Sequence, residues 1–163
     1  MLVLRYLATV ALALWVGGLL VLGGIAAPAA FDVVAAHGIP DARGLGGAVF
    51  GEILARFHLL SYGLGVFLFV SLVARAVLGP RPGRLTARLV IVLVMLLAAG
   101  FSGFVVSERI ETLRAEIGAS PAALPETDPR RSTFGRLHAL STALQLIPVL
   151  GGLALIFFEL KDS

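Results

Sequence analysis

The sequence predicts an all-α integral membrane protein, a four-helix bundle made of two tandem helical hairpins. Three observations carry this reading. Apolar residues make up 58% of the 163-residue chain and charged residues 14%, against about 45–50% and about 25% in soluble domains; the mean hydropathy is +0.98. Four uncharged runs, 7–27, 57–74, 89–107 and 137–158, each match the about 17–25 residues that a helix needs to cross the hydrocarbon core. The motif Arg-x-His-x-Leu-Ser occurs twice, at Arg56–Ser61 and Arg136–Ser141, 80 residues apart.

With flanking residues included, the spans run over about 4–27, 50–78, 85–108 and 130–159 in one transmembrane domain. The first resembles a secretory signal, with Arg5 early and Ala27-Pro28-Ala29 at its end. Its apolar core is longer than a signal core, so it reads as a retained helix. A short separate helix is expected from Pro28 to His37, stopped by Gly38. Gly79-Pro80-Arg81-Pro82-Gly83 breaks the chain between spans two and three. Ser107–Gly118 carries Ile110, Leu113 and Ile117 at helical spacing. It is either span three continuing or a helix on the membrane surface. Asp128-Pro129 reads as an N-cap followed by proline at the first helical position, which starts span four about two turns before its apolar run.

The link between spans two and three holds Arg75, Arg81, Arg84 and Arg88 and no acid, whereas the other two links mix both signs. The purely basic link is expected in the cytoplasm, with both termini, in what reads as a bacterial inner membrane. The isoelectric point near 10.2 rests on a net charge of only +3. That charge suits lipid headgroups; no basic run interleaved with aromatics points to nucleic acid. The expected partners are the bilayer and other membrane subunits. The chain has no cysteine, which excludes disulfides, thiolate metal sites, iron–sulfur clusters and c-type haem.

The 80-residue offset carries 7–27 onto 87–107, almost the third span, and so gives a repeat of two hairpins. Spans two and four then run parallel, with His58 and His138 at similar depth near the outer end. On the diagonal of a bundle they stand roughly 11–14 Å apart at the axes. That spacing suits a large planar ligand better than a bare ion. At i+3, i+4 and i+7, His58 shares a face with Ser61, Tyr62 and Gly65, and His138 with Ser141, Thr142 and Gln145. Gly65 leaves a notch for a flat ligand. Arg56 and Arg136 fall nearly opposite, placed to reach headgroups or a propionate.

Three readings follow. His58 and His138 are axial ligands of haem b, with both arginines on its propionates. They hold copper or another transition metal, completed by Glu52, His37 or water. Or each bonds a serine or carbonyl across the bundle, and the protein is a structural or accessory subunit of a membrane complex without a cofactor. A membrane-buried ionisable group favours a functional role, and the first two readings lead. Trp15 and Phe101–Phe104 read as core packing, and Gly17-Gly18 and Gly23-Gly24 as sites of close helix approach. No hydrolase or kinase motif and no paired intramembrane carboxylates occur, so no enzymatic reaction is indicated.

Leu14–Gly18, Ala27–Phe31 and Asp128-Pro129 followed by Arg136–Ser141 together resemble the transmembrane protein 205-like family, a four-span domain of unknown function. The resemblance covers nearly the whole chain in layout, and the Asp-Pro…His-x-x-Ser segment is its most specific part. It implies the four-span fold, and it implies that His58 and His138 stand where relatives also place histidine. It implies no chemistry. The Trp-x-Gly-Gly opening is also similar to the copper-resistance D-type membrane domain, which adds weight to a metal. A looser likeness, without a shared motif, is to the haem-containing protoporphyrinogen oxidase of bacteria.

Overall fold

The structure, a computed structural model, describes residues 2–79 and 81–161. Four helices account for nearly all of them: α1 Leu2–Ala36, α2 Ala42–Leu78, α3 Leu85–Ile117 and α4 Pro129–Lys161. No strand occurs among the described residues. With 33 to 37 residues each, all four are long and apolar enough to cross a membrane, and the chain is an integral membrane protein. Pro80 of the breaker between α2 and α3 lies outside the described residues.

The helices run up, down, up, down. α1 packs on α2 and α4, and α3 packs on α2 and α4, which sets α2 and α4 on one diagonal and α1 and α3 on the other. One end of the bundle, the terminal end, holds Leu2, Lys161 and the α2–α3 link. The opposite end holds the other two links.

Both first helices of the hairpins run past their apolar stretches toward that opposite end, and each does so through a π-turn. In α1 the turn is Leu22–Ala26; in α3 it is Ser102–Ser107. Their first residues are 80 apart, the offset of the two histidine motifs. Instead of a separate helix, Pro28–Ala36 is the continuation of α1. Pro28 has no N–H to give and crowds the preceding turn. The π-turn just before it, with Ala27 N donating to Leu22 O, widens the ladder where the proline breaks it. In α3 the Tyr62 hydroxyl of α2 donates to the Ala99 carbonyl at 3.4 Å, three residues before the π-turn begins.

The two links at the opposite end are tied together. The Asp41 carboxylate caps α2 through Gly44 N at 3.3 Å and also accepts from Ser120 N at 3.2 Å. Asp41 holds φ 55°, a left-handed conformation that Asp tolerates. Gly118, with φ 67°, closes α3 as a left-handed stop, its N–H bonded to Arg114 O at 3.0 Å. Ser120 Oγ accepts from Ala122 N and caps the 3₁₀ turn Pro121–Ala123.

Asp128 starts α4 by accepting from Arg130 N at 2.8 Å and Arg130 Nη2 at 2.7 Å. The Arg130 side-chain bond, then its backbone bond, hold the Asp128 carboxyl below the usual carboxylate range. A depressed folded pKa contributes stability that is complete above the unfolded value and is lost as pH falls through the folded one. The cap is therefore expected to survive acidification to the ordinary Asp pKa of about 3.9 and to release only below it. Faster exchange of the Arg130 amide marks the release. Release already near pH 5 would contradict the capping geometry.

The core lies in the terminal half. Trp15 and Met95 are completely buried, with Leu12, Leu68, Leu72, Val92 and Leu155 around them. Glycines let the helices close on this centre. A Cβ at Gly65 would run into Leu96 and Trp15, one at Gly152 into Val16, and one at Gly18 into Phe57. Gly17, Gly23 and Gly24 have no such neighbour, so of the two glycine pairs only Gly18 serves close approach.

Candidate functional site

At the opposite end the helices part around a cavity of about 1020 Å³. All four contribute: Gly23, Ala27 and Phe31 from α1; Gly47, Gly51 and Leu54 from α2; Ser107, Ile110 and Arg114 from α3; His138, Ser141, Thr142 and Gln145 from α4. From Arg131 down to Gln145 the α4 wall descends about 21 Å at 1.5 Å per residue. Its polar residues occur at i, i+3, i+4 and i+7, the spacing that puts them on one helix face. Floor residues Gly23 and Ser107 belong to the two π-turns.

The structure separates the two histidine faces. His138 is exposed on the cavity wall, stacked on Phe134 at 6.3 Å, and Thr142 Oγ1 donates to its carbonyl at 3.0 Å. His58 is buried, 6% exposed, and is not among the cavity-lining residues. Its ring lies against α3, where a Cβ at Gly103 would sit 3.3 Å from its Nδ1. Tyr62 stacks between His58, at 6.2 Å, and Phe104, at 5.1 Å. Ser61 and Gly65 are also buried, and the notch at Gly65 is filled by Leu96 and Trp15. Of the ten residues the sequence singled out, His138, Ser141, Thr142 and Gln145 meet at one cavity, while His58, Ser61, Tyr62 and Gly65 face neighbouring helices.

Arg56 and Arg136 are both exposed, and Arg56 pairs with Glu52 at 2.8 Å one helical turn away. His37 ends α1, its Nδ1 2.8 Å from Val33 O. No group of three His, Cys, Asp or Glu side chains placed to hold a metal ion occurs among the described residues.

A second cluster, at the terminal end, was not foreseen from sequence. Glu159 of α4 meets Arg5 of α1, Arg75 of α2 and Arg88 of α3, so one carboxylate joins all four helices. Arg75 is bidentate, with Nη1 to Oε1 at 2.7 Å and Nη2 to Oε2 at 3.3 Å. Arg88 Nη1 bonds Oε1, and Arg88 Nε donates to Gly83 O at 2.9 Å. Arg5 Nε stands 3.5 Å from Oε2, and its Nη2 donates to the Glu159 carbonyl at 3.2 Å. Phe158 lies beneath the guanidiniums of Arg84 and Arg88, at 5.5 and 5.7 Å. Arg75, Arg88 and Glu159 are buried. The signal was in the sequence: each of the four residues borders an uncharged run, and Glu159 closes its run at the end where arginine borders the other three.

The sequence profile of a family described as a domain of unknown function, DUF4149, matches residues 10–119. That is more than half of the chain, and the chain belongs to this family. The match takes in α2 with His58, both π-turns and Arg114, and stops before α4. No curated protein and no solved structure matches the chain.

Proposed function

We propose that this member of the DUF4149 family is a small membrane binding protein that holds its ligand in the four-helix cavity, anchored by the imidazole of His138. The observation that carries the reading is the contrast between the histidines: His138 stands open on a cavity wall with Ser141, Thr142 and Gln145, and His58 is seated on Gly103. The cavity volume of about 1020 Å³ is at the upper end of the about 300–1,000 Å³ of small-molecule and cofactor sites. Haem b is the occupant proposed first. It is broad and flat, it takes a histidine ligand readily, and the phenyl rings of Phe31 and Phe134 line the same space. Ligation by both histidines requires His58 to leave its seat on α3. A bare transition metal on His138 requires further donors, for which Glu52 and Glu111 are the cavity carboxylates on α2 and α3.

The purely basic α2–α3 link supports a cytoplasmic terminal end and a cavity open to the outer face of a bacterial inner membrane. The segments Leu14–Gly18, Ala27–Phe31 and Asp128–Ser141 support a finer place near the transmembrane protein 205-like family. A second reading, an accessory subunit of a larger membrane complex, is favoured by the seat of His58, which fits a packing role.

The absorption spectrum of the protein purified in mild detergent and titrated with haem tests the first reading. A Soret band is expected in the wild type, lost in His138→Ala. In His58→Ala the band is expected to persist while the melting temperature falls. Loss of the band in both variants, with both still folded, would instead show a histidine pair. A wild type that gives no band and carries no metal by elemental analysis would leave the accessory reading.

A further inference from the structure

We infer that the cavity ligand carries an oxyanion, a carboxylate or a phosphate, on an apolar body, and that Arg114 receives it. This rests on the cavity being a binding site, and it adds what the ligand must look like. Arg114, in the last turn of α3, reaches between α2 and α4. Its guanidinium lies over the Phe134 ring at 5.7 Å. It occupies the space that a Cβ at Gly47 would need. Its Nη1 bonds Glu111 Oε1 at 3.2 Å. A Cβ at Gly51 would stand 3.1 Å from that Glu111 oxygen and 3.6 Å from Nη1, so two glycines one turn apart on α2 form a trough for the pair.

The side chain is 20% exposed, yet its Nε–H is buried and has no hydrogen-bond partner among the described residues. A guanidinium offers five donors in a fork that fits two oxygens of one oxyanion. A small swing toward the cavity brings the Nε edge to such an acceptor, while Nη1 keeps Glu111. The orphan donor is thereby satisfied, which is costly to leave undone in a buried place.

Two walls of the cavity fit the apolar body. Arg114 lies about two helical turns above Ser107, about 10 Å at 1.5 Å per residue. Below it the α1 and α2 walls are Gly23, Ala27, Leu54 and Ala55, and the α4 wall carries the polar stripe from His138 to Gln145. The other charges that line the cavity are Arg43 and Arg131 against Asp32 and Glu52. Glu52 is engaged by Arg56, and Arg131 by Glu126 at 3.7 Å and the Leu124 carbonyl. A charged mouth above a shaft that is apolar on its α1 and α2 sides fits an anionic amphiphile standing head-up.

Native mass spectrometry of the full chain tests this with four probes: oleate and its uncharged twin oleyl alcohol, and phosphatidylglycerol and the phosphate-free diacylglycerol. One oleate or one phosphatidylglycerol per chain is expected to be retained, at least tenfold more weakly by Arg114→Gln. Oleyl alcohol and diacylglycerol, which lack the oxyanion, are expected to respond equally in both proteins. A response to oleate alone identifies a free carboxylate, and one to phosphatidylglycerol alone identifies a lipid headgroup. Glu111→Gln, which releases the guanidinium from its carboxylate, is expected to tighten the anion severalfold, a gain that misfolding cannot produce. Anion retention unchanged in both variants, or absent from the wild type, overturns the inference. If Arg114→Gln still takes haem through His138 in that case, the cavity reading stands alone. Anion loss in Arg114→Gln with no effect of His138→Ala upholds Arg114 and removes His138.

Discussion

Replacing Glu159 by glutamine is expected to destabilise the protein by about 3–5 kcal/mol, the range for removing one partner of a buried ion pair. The change keeps the shape of the side chain and removes only its charge. What remains is Arg5, Arg75 and Arg88 brought together from three helices. Like charges at such range in a poorly hydrated site repel strongly. The bidentate bond from Arg75 and the bond from Arg88 are charge-assisted, the stronger kind, and an amide offers one acceptor where the carboxylate offered two. Thermal unfolding in mild detergent reads the loss. Arg75→Gln is expected to cost less, because Arg88 and Arg5 still neutralise Glu159. Equal melting temperatures for Glu159→Gln and wild type would show that the cluster adds nothing to stability.

Trp15→Ala is the other large effect, with about 3–5 kcal/mol expected for an aromatic removed from a packed core. Trp15 has no exposed surface, and its ring fills the space beside Gly65 and Leu96. The helices cannot close the resulting void easily, because Gly18, Gly65 and Gly152 already bring the neighbouring side chains into contact. The same unfolding measurement applies, and it carries a second readout. Trp15 lies on the terminal side of the cavity floor, so ligand retention by the folded fraction is expected to persist. Loss of stability below about 1 kcal/mol would mean that the core collapses around the gap and is less rigid than its burial indicates.

What the sequence made legible follows from which forces act locally. Apolar runs long enough to cross a bilayer are a one-dimensional signal, and all four helices were found from them. Asp128-Pro129 and Gly118 are local backbone chemistry and mark ends of α4 and α3. The run-on of α1 through Pro28 was missed, because proline ordinarily ends a helix and a π-turn has no sequence signature of its own. At the histidines, spacing gave the shared faces of Ser61, Tyr62 and Gly65 and of Ser141, Thr142 and Gln145, but not what each face meets. That depends on Gly103 of α3, opposite His58, and on the parting of the helices beside His138. Glu159 went unread because its partners lie on three other helices, 71 and 84 residues away for Arg88 and Arg75. In the sequence Arg75 and Arg88 mark topology; in the fold their positions also make them structural.

The paired π-turns divide each hairpin's first helix into two phases. Up to the first residue of the turn in α1, the buried residues Ala8, Leu12, Trp15, Leu19 and Leu22 step by fours and threes, the rhythm of a packed seam. From Gly23 inside the turn, Ala27, Phe31 and Ala35 beyond it step by fours along the cavity. The one residue that a π-turn adds advances the helix by about 100° and about 1.5 Å. A single-residue deletion there, at Gly24 for example, would keep the seam and rotate Ala27, Phe31 and Ala35 off the cavity wall. In such a chain the indel is the gentle way to reshape the binding space: it redraws one wall without altering a side chain, and leaves the charged node at the other end untouched.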